Sequence, residues 1–325
     1  MKKVVNCLYE TNSYIEMYQP LFDNGFTLDF KNLCHTQEEK AVIGAVTGYN
    51  YVIAGSEIWN RHVFENVKSS VRMLVRHGTG MDNVDLEAAS DNGITVSNTP
   101  GANASAVAEL ALGMLICLLR RISAFDAGMK RGEWNPTLAN SLSGTAGLIG
   151  FGAVAREFAR ILKAFPVDVL VHDIKTDGEA ERQYGVKYTS LDELAERSDF
   201  ISIHVPLSPE TAGMVGSGLI SKMKGNAIII NTSRGPVVDE DALAGALKAK
   251  RIAGAALDVY NAEPLPGDSP LRGLDNVLLT PHVASASVDG QKGMIARCVS
   301  NILDFEAGKK FRGLFESTDN RKGVF

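Results

Sequence analysis

An apolar run that stops on a glycine-rich turn constrains this chain more than any other feature. Thr145-Ala146-Gly147-Leu148-Ile149 reads as a strand, and Gly150-Phe151-Gly152-Ala153-Val154-Ala155 carries it into an amphipathic helical stretch. The spacing Gly150-x-Gly152-x-x-Ala155 is that of a dinucleotide-binding turn. Gly150 permits the turn, Gly152 lets a pyrophosphate approach the backbone, and Ala155 keeps helix and strand close. The helix start, at Ala153 and Val154, offers N–H groups and the positive end of a dipole to phosphate. A second strand, Val167–His172, ends at Asp173, about 20 residues after the turn. A carboxylate there accepts both adenosine ribose hydroxyls and repels a 2′-phosphate, so the pattern predicts NAD over NADP, with Lys175 nearby softening the repulsion. Read alone, Asp173 is also an ordinary turn residue. Its place after strand, turn, helix and strand favours the ribose.

The rest of the chain continues the alternation of strand and helix. Val4–Tyr9, Tyr51–Ala54, Val71–Val75 and Ile94–Val96 are short β runs in the first part. Phe200–Val205, Ala227–Asn231, Ile252–Asp258 and Val277–Thr280 follow the glycine turn, separated by helical stretches such as Ala153–Lys163, Leu191–Arg197 and Glu240–Lys248. Such alternation predicts an α/β fold with parallel sheets covered by helices on both faces. With 325 residues, 45% of them hydrophobic, two domains are expected. We place a nucleotide-binding domain at 99–285 and a discontinuous substrate domain at 1–98 and 286–325. The division follows because Val288–Glu306 is amphipathic yet has no strand of its own.

Several function classes fall away. A net charge of −5 gives no bulk attraction to nucleic acid or an anionic membrane. Cys7, Cys34, Cys117 and Cys298 lie far apart, without CxxC or zinc spacing, so no metal and a reducing, cytoplasmic setting are expected. The opening Met1-Lys2-Lys3-Val4 lacks a signal-peptide pattern. Ala102–Leu119 is apolar but carries Asn103, Ser105 and Glu109, and it is shorter than a span needs. It reads as a helix buried at a seam between domains or subunits. The polar tail from Ser317 reads as frayed.

Three charged residues stand at or just beyond strand ends. Arg234 lies in Asn231-Thr232-Ser233-Arg234-Gly235, Glu263 in Asp258-Val259-Tyr260-Asn261-Ala262-Glu263, and His282 in Thr280-Pro281-His282-Val283. Ligands of open α/β sheets bind at the carboxyl ends of strands, where these segments converge. A guanidinium clamps a carboxylate bidentately, an imidazolium supplies a proton as hydride arrives, and a carboxylate beside it favours the charged ring. Singly, each has a bland alternative: a surface arginine, a turn glutamate, a structural histidine. Jointly, beside a dinucleotide turn, they point to hydride transfer to a 2-keto acid.

At these residues the chain resembles the D-isomer-specific 2-hydroxyacid dehydrogenase family. The resemblance is carried by Arg76–Ala89, Asn98–Leu110, the glycine turn, His204–Thr211, NTSRG, DVYNAEPL and TPHVAS, in the family's order along nearly the whole chain. It implies a nucleotide-binding Rossmann domain inserted in a flavodoxin-like substrate domain, with the ligands in a cleft between them. It implies that Arg234, Glu263 and His282 are the catalytic triad. Asp258 then meets the nicotinamide carboxamide, and Thr232, Ser285, His204, Pro206 and Thr211 lie along the cofactor. Arg76, Asn103 and the N–H groups of Thr79 and Gly80 correspond to substrate-side groups, a glycine-rich turn being suited to an anion. The helix Ala102–Leu119, with Trp134 beyond it, matches a dimer-forming region, so a homodimer is expected.

Within the family the phosphoglycerate-oxidising members are the nearest likeness. Ala54 stands where animal-type members have an arginine, however, and Glu57 lies close by, which weakens the case for a phosphorylated substrate. Ala102 replaces a tyrosine typical of the lactate-oxidising members, which argues against pyruvate. No serine-binding regulatory domain is expected after the last helix. Glyoxylate or hydroxypyruvate reduction is the alternative within the enzyme class. An NAD-responsive corepressor-like interaction protein is the alternative outside it, and fold and triad alone do not separate the two.

Overall fold

A computed structural model describes residues 2–8, 12–34 and 36–315. Its strands are β1 (Lys2–Asn6), β2 (Phe26–Phe30), β3 (Tyr51–Ala54), β4 (Met73–Arg76), β5 (Thr95–Ser97), β6 (Gly144–Ile149) and β7 (Val167–His172), followed by β8 (Val186–Tyr188), β9 (Phe200–Ile203), β10 (Ile228–Asn231), β11 (Gly254–Leu257), β12 (Val277–Leu279) and β13 (Leu314–Phe315). Two compact units contain them: Met1–Asn103 with Ser287–Phe325, and Ala104–Ala286.

The second unit holds a seven-stranded sheet in the order β12-β11-β10-β9-β6-β7-β8, parallel throughout. Counted within the unit this is the doubly wound nucleotide-binding order, extended by one strand, and the order reverses between β6 and β9. Side chains alternate between two apolar clusters: Ile228 and Ile230 enter one, Ile229 the other. Burial on both faces explains why these strands read as continuous apolar runs. The helix Ala104–Leu119 turns Ala108, Ala111, Met114 and Leu115 into one of those clusters. The face carrying Ala108, Ala111, Met114 and Leu115 therefore belongs to this unit's own core. Among the described residues no helix is long and apolar enough to cross a membrane.

The first unit has the order β13-β5-β4-β3-β1-β2, parallel except for antiparallel β13. Leaving β13 aside, this is the flavodoxin-like order. β2 escaped the sequence reading, although Phe26-Thr27-Leu28-Asp29-Phe30 alternates as a half-buried strand should. β8 and β13, of three and two residues, are too short to carry a period. The first strand stops at Asn6 rather than Tyr9, because Leu8 N–H turns back onto Asn6 Oδ1 at 2.9 Å. Tyr9 and the tail from Ser317 lie outside the described residues. Helix Val288–Glu306 covers one face of this sheet, packing Ile295, Cys298, Val299 and Ile302 against Val4, Ile53, Met73 and Val75.

That helix is pinned at its last residue. The Glu306 carboxylate pairs with Lys2 at 2.7 Å and also takes Arg72 and the Tyr51 hydroxyl, all at the amino-terminal edge of the sheet. Hydrogen bonds from Lys2 and Tyr51, then the Arg72 charge, outweigh burial and hold the Glu306 carboxyl at about 2. A depressed carboxyl stabilises the fold above its unfolded value and loses that contribution as pH falls. Replacing Glu306 with Gln is expected to cost about 1 kcal/mol near neutral pH, the half-exposed partners limiting it. Urea unfolding should show the gap closing as pH falls from about 4.5 toward 2.

Candidate active site

The carboxyl ends of β6, β7, β9, β10, β11 and β12 all face the same edge of the second unit's sheet. Gly150 leaves β6 at φ +88°, and a Cβ on it would lie 3.0 Å from the backbone of both His204 and Val205, just beyond β9. Only glycine serves there. Gly152 caps the helix Ala153–Leu162 without a side-chain partner, and a Cβ on it would meet nothing within 4 Å. The missing side chain leaves open space over the first-turn N–H groups of Ala153 and Val154, as a pyrophosphate requires. Asp173 does more than end β7: Oδ2 accepts Phe151 N–H at 2.7 Å and Oδ1 accepts Lys175 N–H at 2.9 Å, bracing the turn. Each oxygen keeps a second lone pair for a hydroxyl. Ile174 beside it is 95% exposed, an apolar surface the sequence reading passed over.

Two buried polar atoms on this edge have no hydrogen-bond partner, His204 Nε2 and Thr232 Oγ1. Burial drops His204 to about 3, so its ring is neutral. Orphaned buried groups of this kind are uncommon and fit a site completed by a ligand. Together with the space at Gly152, they suit an NAD molecule laid along the strand ends. Thr211 is occupied within its own loop, donating to the Pro206 carbonyl at 2.6 Å and accepting Ser208 N–H at 2.8 Å. Ser285 lies in the loop after His282 and is partly buried.

The three charged residues are held by neighbouring loops. Asn231, last in β10, donates to the Arg234 carbonyl at 2.9 Å and accepts Ser233 N–H at 3.0 Å, which shapes the loop around Arg234. The next residue, Gly235, sits so close to Tyr260 that a Cβ would lie 2.0 Å from that carbonyl. This contact locks the Arg234 loop to the loop carrying Glu263. There Glu263 Oε1 accepts Tyr260 N–H at 3.1 Å, and Oε2 lies 2.7 Å from His282 Nδ1. Burial pushes the Glu263 carboxyl up, but the His282 hydrogen bond and charge, the Tyr260 N–H and Arg234 more than offset it and hold it below its ordinary value. The Tyr260 hydroxyl is shared between the Leu257 and Thr280 carbonyls. Burial and the Asp258 charge push it up to about 12, so it remains a donor. Gly235 and Tyr260 escaped the sequence reading, since neither is chemically active.

Arg76, Thr79, Gly80 and Asn103 belong to the other unit. Arg76 ends β4, and its guanidinium lies 2.8 Å from where a Cβ on Gly78 would sit, at a φ of +142° that favours glycine. The turn is tied by Gly78 N–H to Thr99 Oγ1 at 2.9 Å and by Asn98 to the Thr79 carbonyl at 2.7 Å. Thr79 Oγ1 reaches Asn103 Oδ1 at 3.5 Å. Burial and the Arg76 charge lower His77 to about 4. Glu57 is fully buried, its carboxylate accepting Gly55 N–H at 2.9 Å and Trp59 Nε1–H at 3.0 Å. Among the described residues no cluster of three or more His, Cys, Asp or Glu is placed to hold a metal ion.

With this geometry in place, known proteins supply the context. Residues 112–284 match the family described as D-isomer specific 2-hydroxyacid dehydrogenase, NAD binding domain. A glyoxylate reductase of Korarchaeum cryptofilum is 39% identical over 254 residues, 76% of each chain. A D-3-phosphoglycerate dehydrogenase of Archaeoglobus fulgidus is 36% identical over 292 residues, 89% of this chain and 55% of that one. Among solved structures, the TT0316 protein of Thermus thermophilus superposes with a TM-score of 0.87 at 29% identity, over 97% of this chain and all of that one.

The two glycines of the turn are expected to fail differently. Gly150→Ala forces a Cβ at φ +88° into the His204 and Val205 backbone, and should lower Tm by several degrees. Gly152→Val meets open space and should leave Tm nearly unchanged while weakening NADH binding at least 100-fold in a fluorescence titration.

Proposed function

The chain belongs to the D-isomer specific 2-hydroxyacid dehydrogenase family and carries its NAD-binding domain, and from that premise we propose that Arg234, Glu263 and His282 perform the oxidoreduction of a small 2-hydroxy or 2-keto acid. The observation that carries this reading is the 2.7 Å pair of Glu263 and His282 beside Arg234, on the same sheet edge as the glycine turn. When bound, the reduced nicotinamide supplies hydride to the keto carbon. Arg234 holds the substrate carboxylate through its two-pronged donor set and polarises the keto oxygen. His282 delivers the proton to that oxygen from Nε2, because Nδ1 is taken by Glu263. In the oxidative direction Nε2 takes the proton back. Arg76, Asn103 and the Thr79-Gly80 turn are assigned to the substrate's carboxylate side. Gly150, Gly152, Ala153, Val154, Asp173, His204, Pro206, Thr211, Thr232, Asp258 and Ser285 are assigned to NAD.

The substrate reading follows the relatives' names. Likeness to the phosphoglycerate dehydrogenases favours 3-phosphoglycerate and its keto acid. Glyoxylate or hydroxypyruvate reduction is favoured by one observation, that Ala54 supplies no charge to a phosphoryl group while the neighbouring Glu57 is a buried carboxyl. A kcat/KM panel of 3-phosphohydroxypyruvate, hydroxypyruvate, glyoxylate and pyruvate with NADH separates these. NADH binding without turnover on any member would overturn the enzyme in favour of an NAD-responsive interaction protein.

A homodimer is proposed from the exposed apolar side chains Ile122, Met129, Trp134 and Leu138, the last two 79% and 99% exposed, which one chain leaves uncovered. A single-chain mass by light scattering at micromolar concentration would refute it. The four widely spaced cysteines, without CxxC or zinc spacing, support a cytoplasmic location.

His282→Ala is expected to lower kcat about 100- to 10,000-fold with NADH affinity retained. Glu263→Gln removes the anion that favours the charged ring, so the basic limb of the reduction rate should move to lower pH without loss of all activity. An unmoved limb would contradict the pairing.

A further inference from the structure

We propose that Arg156, paired with Asp177, is a positioning residue for the adenosine side of the cofactor: it ties the glycine turn to the loop after β7 and so keeps Asp173 where it separates NAD from NADP. This role rests on the assignment of Asp173 to the adenosine ribose, and it falls to two residues outside the glycine fingerprint. Arg156 is the fourth residue of the helix Ala153–Leu162. Side chains on a helix lean toward its start, and this one reaches back beyond it. Its Nε donates to the Phe151 carbonyl at 3.1 Å, and its Nη2 donates to Asp177 Oδ2 at 3.2 Å. Asp173 Oδ2 meanwhile accepts Phe151 N–H at 2.7 Å. Both peptides between Gly150 and Gly152 are thus held from the loop that runs from Asp173 to Asp177. Asp173 holds the first directly, and Asp177 holds the second through Arg156.

The turn needs this bracing, because a glycine on each side of Phe151 leaves its peptides free to rotate. The Phe151 ring is the fixed point: it is buried, and it meets Tyr184 edge-on at 5.6 Å and Tyr188 edge-on at 6.0 Å. The Arg156 guanidinium lies 5.3 Å from the Phe151 ring and 5.7 Å from that of Tyr184. A cation near the start of a helix opposes the helix dipole, and here the Asp177 carboxylate offsets it. Asp177 also caps the helix Gly178–Tyr184, its Oδ1 accepting Glu179 N–H at 3.1 Å and Ala180 N–H at 3.0 Å. The Ala180 N–H, then Arg156, hold its carboxyl below its ordinary value. The far end of the loop is therefore fixed at once to the helix that follows and to the turn. With both ends held, the Asp173 carboxylate stays in place to accept two ribose hydroxyls and to repel a 2′-phosphate. Released at Asp177, the loop lets that carboxylate move off. NADH then loses a pre-placed acceptor and NADPH loses a repulsion.

The test is binding rather than turnover. Kd values for NADH and NADPH are measured by fluorescence titration of the whole chain, and their ratio is the readout, since a general loosening of the fold weakens both alike. Asp177→Asn keeps the shape and the capping oxygen but turns an amide donor toward the guanidinium. Arg156→Gln removes the guanidinium itself. Each should weaken NADH about tenfold, the size of one lost charge-assisted hydrogen bond, and NADPH by about threefold at most. The preference for NADH then falls about threefold or more. The double variant should fall no further than either single one, because both cut the same link. A wild-type ratio in both single variants overturns the proposal. So does an Arg156→Gln protein that weakens both nucleotides equally while Asp177→Asn changes neither, which would place Arg156 directly on the phosphates. Should Arg156→Gln fail to fold, Asp177→Asn decides alone. Asp173→Ala tests the premise separately and should lower the ratio at least as far. A wild-type ratio there would defeat the ribose assignment and this role with it, whereas a lowered ratio there beside unmoved ratios in the pair defeats the pair alone.

Discussion

Three parallel strands that stop level with one another bring Arg234, Glu263 and His282, the proposed catalytic groups, to one edge of the sheet. Asn231 of β10 pairs with Leu257 of β11, and Leu257 pairs with Leu279 of β12. Beyond that line the chain adds three residues to Arg234, six to Glu263 and three to His282. β10 is apolar on both faces, with Ile228 and Ile230 in one cluster and Ile229 in the other, so its position is set by close packing on each side rather than by alternation. Core packing thus sets where the charged groups emerge.

Inside that frame, small contacts finish the placement. The missing side chain of Gly235 lets the Arg234 loop rest on the Tyr260 backbone, and Tyr260 N–H in turn holds Glu263. The partly buried carboxylate stays ionised because imidazole, amide and guanidinium all favour its charge. A charge so held is pre-arranged to stabilise an imidazolium without reorganisation when a proton moves. The glycine turn follows the same economy, with Gly150 pressed against β9's exit and Gly152 open above it.

The first unit shows a different treatment of charge. Glu57 is sealed among N–H donors, and burial raises its carboxyl. His77 is driven to the neutral form beside Arg76. These groups shape the turn and the strand ends rather than meeting solvent.

Much was legible in the linear chain. Periodicity located most strands of both units, and Leu191–Arg197, Glu240–Lys248 and Val288–Glu306 begin and end where their patterns do. The residue chemistry of Gly150, Gly152, Asp173, Arg234, Glu263 and His282 marked the candidate site, because turns, phosphates and proton transfer each demand particular residue types. What the pattern lacked were elements too short to show a period, such as β8 and β13, and partnerships between distant residues. Asp258 looks from its own surroundings like any acidic strand terminus, yet it organises a loop more than 20 residues away. Likewise the covering of the first sheet by Val288–Glu306, and the capture of Glu306 by Lys2, Tyr51 and Arg72, join opposite ends of the chain. Sequence alone determined which groups are present and the local backbone each prefers, since those are short-range properties. Which groups meet was decided by the packed sheets, because only long-range burial overcomes the entropy of bringing such residues together.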